Sequence, residues 1–144
     1  MKLSQKEKNR LRELYLKAYY EVWPNHVAEP LILRPGAHHP EIDAELGDAN
    51  SWMFITAHNP MGKLHLPEVN KKAQQQLHLD IKRANKNYWP GRGYDPRSGE
   101  DWEEPSIFVF PISRKEARAW AEQFRQLAVL FGERGQAAEL LFTE

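Results

Sequence analysis

The chain has no cysteine, which excludes disulfides, thiolate catalysis, thiolate zinc sites and iron–sulfur clusters. It has no excess of either charge: 20 Lys+Arg balance 20 Asp+Glu. The global electrostatic footprint of a general nucleic-acid binder is therefore missing. No uncharged apolar run approaches the roughly 18 residues of a membrane span. The segment Met1–Glu7 lacks the apolar core of a signal peptide. No H-E-x-x-H, Walker, Rossmann or G-x-S-x-G pattern occurs. These absences set the expectation of a soluble cytoplasmic protein with no metal, no cofactor and no membrane partner.

What is present suits one domain. A chain of 144 residues can bury roughly 70% of its unfolded surface. The hydrophobic fraction is 41% and the charged fraction 28%, both ordinary for a globular fold. No repeat, low-complexity tract or linker divides it. The expected organisation is an N-terminal amphipathic helix within residues 1–24 and a core over residues 30–142.

Ser4 and Glu7 have capping-box spacing. Leu11, Leu14, Tyr15, Ala18, Tyr19 and Val22 follow at helical spacing, which predicts a helix from Gln5 to Val22, ended by Pro24. Leu31-Ile32-Leu33, between prolines, predicts a strand near a sheet edge. Pro40 to Leu46 predicts a short helix with Gly47 as its stop. Trp52-Met53-Phe54-Ile55 predicts a strand buried on both faces. Pro67 opens a helix whose apolar stripe is Val69, Ala73, Leu77, Ile81 and Ala84. Asn70, Gln74 and His78 lie along one flank of that stripe.

The Gly- and Pro-rich stretch from Tyr88 to Glu104 predicts a loop, with at most a short strand around Tyr88–Trp89. Ile107 to Phe110 predicts a second buried strand. Ser113 and Glu116 form another capping box, before a helix buried through Ala117, Trp120, Ala121 and Phe124. Ala128–Phe131 and Ala138–Phe142, around Gly132-Glu133-Arg134-Gly135, predict a terminal β-hairpin. The fold class is α+β, with α/β-like crossings: a mixed sheet of about five strands with helices packed on it.

The candidate centre is Phe54–Pro60, where a buried strand ends in polar residues. Strand ends are where open α/β sheets bind ligands. Thr56, His58 and Asn59 stand there, with His58 able to move a proton near neutral pH. The competing reading is a plain Asn59-Pro60 turn. Asn70 on the next helix is a possible partner. Glu104 and Ser106 open the second buried strand. Ser106 there either meets a ligand or bonds backbone groups, and Glu104 either faces a ligand or pairs with a basic neighbour such as Arg92. Gly91-Arg92-Gly93 either hugs an anion or forms a turn. Six histidines lie between His26 and His78, but none has metal-site spacing.

A resemblance rests on Phe54-Ile55-Thr56-Ala57-x-Asn59-Pro60 and a following helix carrying Asn70. It extends to a Gly-rich loop reaching Asp95, then Trp102-x-Glu104-Pro105-Ser106 leading a hydrophobic strand. The helix to Phe124 and the strand Ala128-Val129-Leu130 complete it. Over roughly Pro30 to Phe142 the chain resembles the bacterial domain-of-unknown-function family 3293. The resemblance implies a common fold and a shared polar cluster, and no activity.

Three readings follow. One is a pocket for a polar small molecule or nucleotide-like ligand, lined by Thr56, Asn59, Asn70, Glu104 and Ser106, with His58 or Glu104 as acid or base if it is catalytic. The loop from Tyr88 to Trp102 would be its lid. The second is a protein-interaction or regulatory module. The third is a nucleic-acid accessory protein using Lys71, Lys82 and Lys86, against which the zero net charge argues.

Overall fold

The structure, a computed structural model, describes residues 4–25, 27–58, 65–95 and 103–143. Its elements run α1 (Gln5–Lys17), β1 (Tyr19–Val22), β2 (Leu31–Leu33), α2 (Pro40–Glu45) and β3 (Ser51–Ile55). Then come α3 (Pro67–Arg83), β4 (Asn87–Tyr94), β5 (Glu103–Phe110), α4 (Arg114–Gln123), β6 (Ala128–Glu133) and β7 (Glu139–Phe142). No helix among the described residues is long and apolar enough to cross a membrane.

The strands form one seven-stranded sheet in the order β2-β1-β4-β5-β3-β6-β7. Every neighbouring pair is antiparallel. The expectation of a mixed sheet of about five strands is corrected on both counts, though the α+β class stands. The physical reason lies in the crossovers. Helix α3 carries the chain from β3 to β4, and α4 from β5 to β6. Each crossover joins strands two positions apart that run parallel, and another strand fills the gap between them. The segment from β3 to β6 thus forms two interleaved split β-α-β units, the ferredoxin-like arrangement. Strands β1 and β2 extend that core on one side, and β7 on the other.

Local chemistry explains most element ends. Ser113 accepts from the Glu116 N–H, and the Glu116 carboxylate accepts from the Ser113 N–H, so both capping-box bonds at α4 form. Pro67 opens α3 at a position that needs no N–H donor. Gly47, at φ +62, follows α2 in a left-handed conformation that glycine takes without penalty.

Two expectations fail. Helix α1 stops at Lys17, not Val22, and Ala18 turns extended. Tyr19–Val22 has helical spacing, yet it pairs with β2 on one side and β4 on the other. Four residues, three of them aromatic or β-branched, satisfy either period, and the two flanking ladders decide for strand. Likewise the Gly-rich stretch through Tyr94 is not a loop but β4, paired along its whole length with β5. A Cβ on Gly91 would stand 2.5 Å from the Glu21 carbonyl and 2.8 Å from the Phe54 ring. The glycine is there so that Phe54 can lie against the strand.

The sheet buries both faces. Met53, Ile55, Ile107 and Val109 face α3 and α4, meeting Leu77, Ile81, Ala117 and Ala121. Leu77 and Ile81 are fully buried, and each such side chain contributes roughly 1.5–3 kcal/mol. The other face carries Trp52, Phe54, Trp89, Phe108 and Leu130, with Ile42 and Leu46 from the α2 region. Here the sheet curls over its own core. The turn after β2 reaches the segment before β7: Gly36 N–H donates to the Ala138 carbonyl at 2.7 Å. The Ala138 N–H donates back to the Ala37 carbonyl at 2.9 Å, and His38 bridges to Ala137. The two sheet edges are thereby laced together beside α2, and the described residues border a cavity at the other end of the curl, its mouth, where β3 ends and β5 begins.

Candidate functional site

Side-chain alternation decides what reaches that mouth. On β3 and its continuation, Ile55 and Ala57 turn to the helices, while Phe54 turns into the curl. Thr56 follows the parity of Phe54. On β5, Ser106 and Glu104 follow the parity of Phe108. These residues border a cavity of about 70 Å³. Tyr20 of β1 and Gly93 of β4 complete its sheet wall, and apolar Ala128, Leu130 and Leu140 line the far side. Tyr15 of α1, His58 and Gln126 also line it.

A set of hydrogen bonds fixes the strand end. The Thr56 hydroxyl donates to the Pro105 carbonyl at 2.8 Å and accepts from the His58 N–H at 3.1 Å. The Ala57 N–H donates to Gln74 Oε1 on α3 at 2.9 Å. Gln126, which is buried, donates through Nε2 to the carbonyls of His58 at 3.2 Å and Phe124 at 3.3 Å. The Ser106 hydroxyl donates to the Glu104 carbonyl at 3.0 Å. Tyr20 donates its phenolic proton to the Tyr15 carbonyl at 2.8 Å.

The electrostatics follow from burial. Tyr15 is pushed up to about 12, first by desolvation and then by the nearby Glu104 carboxylate. Tyr20 is raised further by burial, with Tyr15 and Glu104 adding to it. Both phenols therefore stay protonated across the physiological range. Desolvation lowers the His58 pKa, favouring the neutral imidazole.

Thr56, His58, Glu104 and Ser106 thus come together around one cavity. Two other sequence candidates, Arg92 and Asn70, lie elsewhere. Arg92 projects from the opposite face of β4 to Gly91 and Gly93. It pairs with Glu21 and with Glu103, the latter at 3.2 Å, and lies over the Tyr94 ring at 4.3 Å. Burial costs are offset by these carboxylates, and its pKa is raised chiefly by the bond to Glu21. Asn70 lines a separate open cleft of about 600 Å³ with Lys71, Gln74 and His78, which His58 also borders. Asn59 and Pro60 lie outside the described residues, as does the tip of the proposed lid from residue 96 to 102. Of the lysine face, Lys86 is held by Glu116 at 3.0 Å. Among the described residues no three His, Asp or Glu side chains gather as metal ligands.

Sequence reasoning missed Tyr15, Tyr20 and Gln126. Tyr15 read as part of a helical stripe and Tyr20 fell within the same expected helix, so their convergence across a helix-to-strand break was hidden. Gln126 stands beside Arg125 just before the apolar run Leu127–Phe131, a position that carries little signal in the sequence.

Residues 55–129, more than half of the chain, match the family described as "Protein of unknown function (DUF3293)". No curated protein and no solved structure matches the chain. The matched stretch begins at the end of β3 and stops inside β6, so it spans nearly all of the interleaved core. It also carries the Thr56, His58, Glu104, Ser106 and Gln126 side of the cavity. The chain belongs to the DUF3293 family.

Proposed function

We propose that the chain binds a small polar molecule in the cavity at the mouth of its curled sheet. The observation that supports this most is the convergence of Thr56, His58, Glu104 and Ser106, from separate elements, on one concave space with apolar walls. A few convergent polar groups on an apolar wall are the usual make-up of a ligand site, and barrel mouths are a usual place for one. Volume limits the ligand. A cavity of about 150 Å³ takes benzene, whereas this one is about 70 Å³. It suits a group of roughly three to five heavy atoms, with any remainder pointing outward.

A nucleobase does not fit that space. The cleft along α3 favours a second reading, for a larger or nucleotide-like ligand. Its volume of about 600 Å³ falls in the usual range of roughly 300–1,000 Å³, and it offers Gln74, His78 and Lys71.

A thermal-melt screen of polar fragments tests both readings, using wild type, Ala128→Leu to fill the cavity and Lys71→Glu to alter the cleft. A ligand present at a hundred times its Kd stabilises the native state by about 2.7 kcal/mol. The cavity reading expects hits that vanish in Ala128→Leu and persist in Lys71→Glu. Hits that shift Ala128→Leu as much as wild type overturn it, and their loss in Lys71→Glu supports the cleft.

A further inference from the structure

Helix α1 is attached to the fold by little apolar surface. Of its 13 residues one, Leu11, is buried. Leu14 and Leu16 are 49% and 42% exposed. Helices α3 and α4, by contrast, sink Leu77, Ile81, Ala117 and Ala121 into the sheet. An isolated helix of about 12–15 residues is marginal in water, so packing decides whether it stays formed and in place. Elements with few buried apolar contacts open locally, at the low end of a protein's range of stabilities.

This helix stands at the cavity. Tyr15 supplies part of the wall, and its ring lies 6.4 Å from that of Phe142 on β7. The Arg12 guanidinium stands 4.9 Å from the same Phe142 ring. At the other side, side chains of the sheet catch carbonyls of the last turn. Tyr20 of β1 donates to the Tyr15 carbonyl at 2.8 Å, and Arg34 donates to the Leu16 carbonyl at 3.3 Å. The helix therefore reaches from one edge strand, β7, to β1 and the residue after the other edge strand, β2. Ala18, buried and extended at φ −72 and ψ 156, is the one residue between α1 and β1. Beyond it, ladders to β2 and β4 pin β1 in place. The Tyr20–Tyr15 bond spans this joint, with its donor on the fixed strand and its acceptor on the helix.

We infer that α1 is a hinged cover of the cavity, turning at Ala18 and latched by the Tyr20 hydroxyl on the Tyr15 carbonyl. This rests on the reading that the cavity is the ligand site. Lifting α1 takes the Tyr15 wall away, while Thr56, Glu104, Ser106 and Tyr20 stay with the sheet. Entry then needs the release of one helix and leaves both cores packed.

The test combines amide hydrogen exchange with thiol labelling of the full chain. The chain has no cysteine, so Ser106→Cys places a single thiol on the cavity wall, at a position 6% exposed. The labelling probe is dithiobis-nitrobenzoate, whose two aromatic rings do not fit a cavity of about 70 Å³. In wild type, the amides of α1 are expected to exchange at least about tenfold faster than those of α3. The thiol is expected to label faster than α3 exchanges. Tyr20→Phe keeps the ring and removes the latch. It is expected to speed labelling and α1 exchange about fivefold, as loss of one net hydrogen bond does, with α3 and α4 unchanged. Leu11→Ala is expected to speed both roughly tenfold or more. Ala128→Cys supplies the thiol on the far wall if Ser106→Cys does not fold, and the exchange of wild type needs no thiol. Exchange of α1 no faster than that of α3 overturns the inference. So does labelling that neither Tyr20→Phe nor Leu11→Ala accelerates. Neither measurement uses a ligand, so failure here leaves the cavity reading standing, whereas a fragment screen without cavity-dependent hits overturns that reading whatever α1 does.

Discussion

His39 ties the curl of the sheet to pH. It is 6% exposed, and its Nε2 accepts the Arg34 N–H at 3.0 Å. That bond requires an unprotonated Nε2. It holds the turn whose next residues, Gly36 to His38, lace the two sheet edges together. Desolvation lowers the His39 pKa and His38 lowers it further, while Glu41 and Asp43 oppose the shift. In the unfolded chain a histidine titrates near 6.5. Above that pH both states are neutral and the group contributes no pH dependence. As the pH falls below 6.5, the unfolded chain binds a proton that the folded protein refuses. Stability therefore declines until the folded pKa is reached. If the folded histidine stays neutral throughout, the loss between pH 7.5 and 5.5 is about 1.4 kcal/mol. For a domain of this size that is about 4 °C in Tm. Urea melts of wild type and His39→Asn at pH 7.5, 6.5 and 5.5 measure it. Asparagine does not titrate and is a favoured residue at a helix N-cap. His58, also lowered by burial, contributes equally to both proteins and cancels. The variant should lose less stability than wild type over this range, by up to about 1.4 kcal/mol. An equal or steeper pH dependence in His39→Asn would refute the reasoning.

Gly132→Ala should destabilise by roughly 3 kcal/mol or more, because its Cβ would stand 2.3 Å from the ring of Trp52, itself stacked on Phe108 at 5.1 Å. Gly135→Ala meets open space at φ +79 and should cost only roughly 1 kcal/mol; denaturant melts of the two variants compare them directly. Ser113→Ala removes the side-chain half of the α4 capping box and should cost about 1 kcal/mol in the same assay.

Much of the secondary structure was legible because its causes are local. Pro67, the Ser113–Glu116 box and the Gly47 stop each act within one turn of chain, and the structure has α3, α4 and α2 where those signals set them. The continuous apolar runs at Trp52–Ile55 and Ile107–Phe110 announced strands buried on both faces. Tyr19–Val22 was misread because four residues fit either period, and its ladder partners lie far away in sequence. The β4 strand was masked for the same reason: Gly91 and Gly93 look like turn residues until Phe54 and β5 are beside them.

The candidate site divides along the same line. From sequence alone came the polar residues at strand ends: Thr56, His58, Glu104 and Ser106. Their meeting was a matter of strand order, since β5 lies against β3 and both lie within a sheet curled toward β7. Which face each side chain takes follows from register, and register is settled by interstrand hydrogen bonds between distant segments. That is why Arg92 turned out to face Glu21 and Glu103, while Tyr15, Tyr20 and Gln126 joined the cavity unannounced. The sequence by itself determined the elements, the α+β class and the supply of polar groups. Only the tertiary structure decided the antiparallel order, the curl and which of those groups share one space, because non-local pairing carries that information.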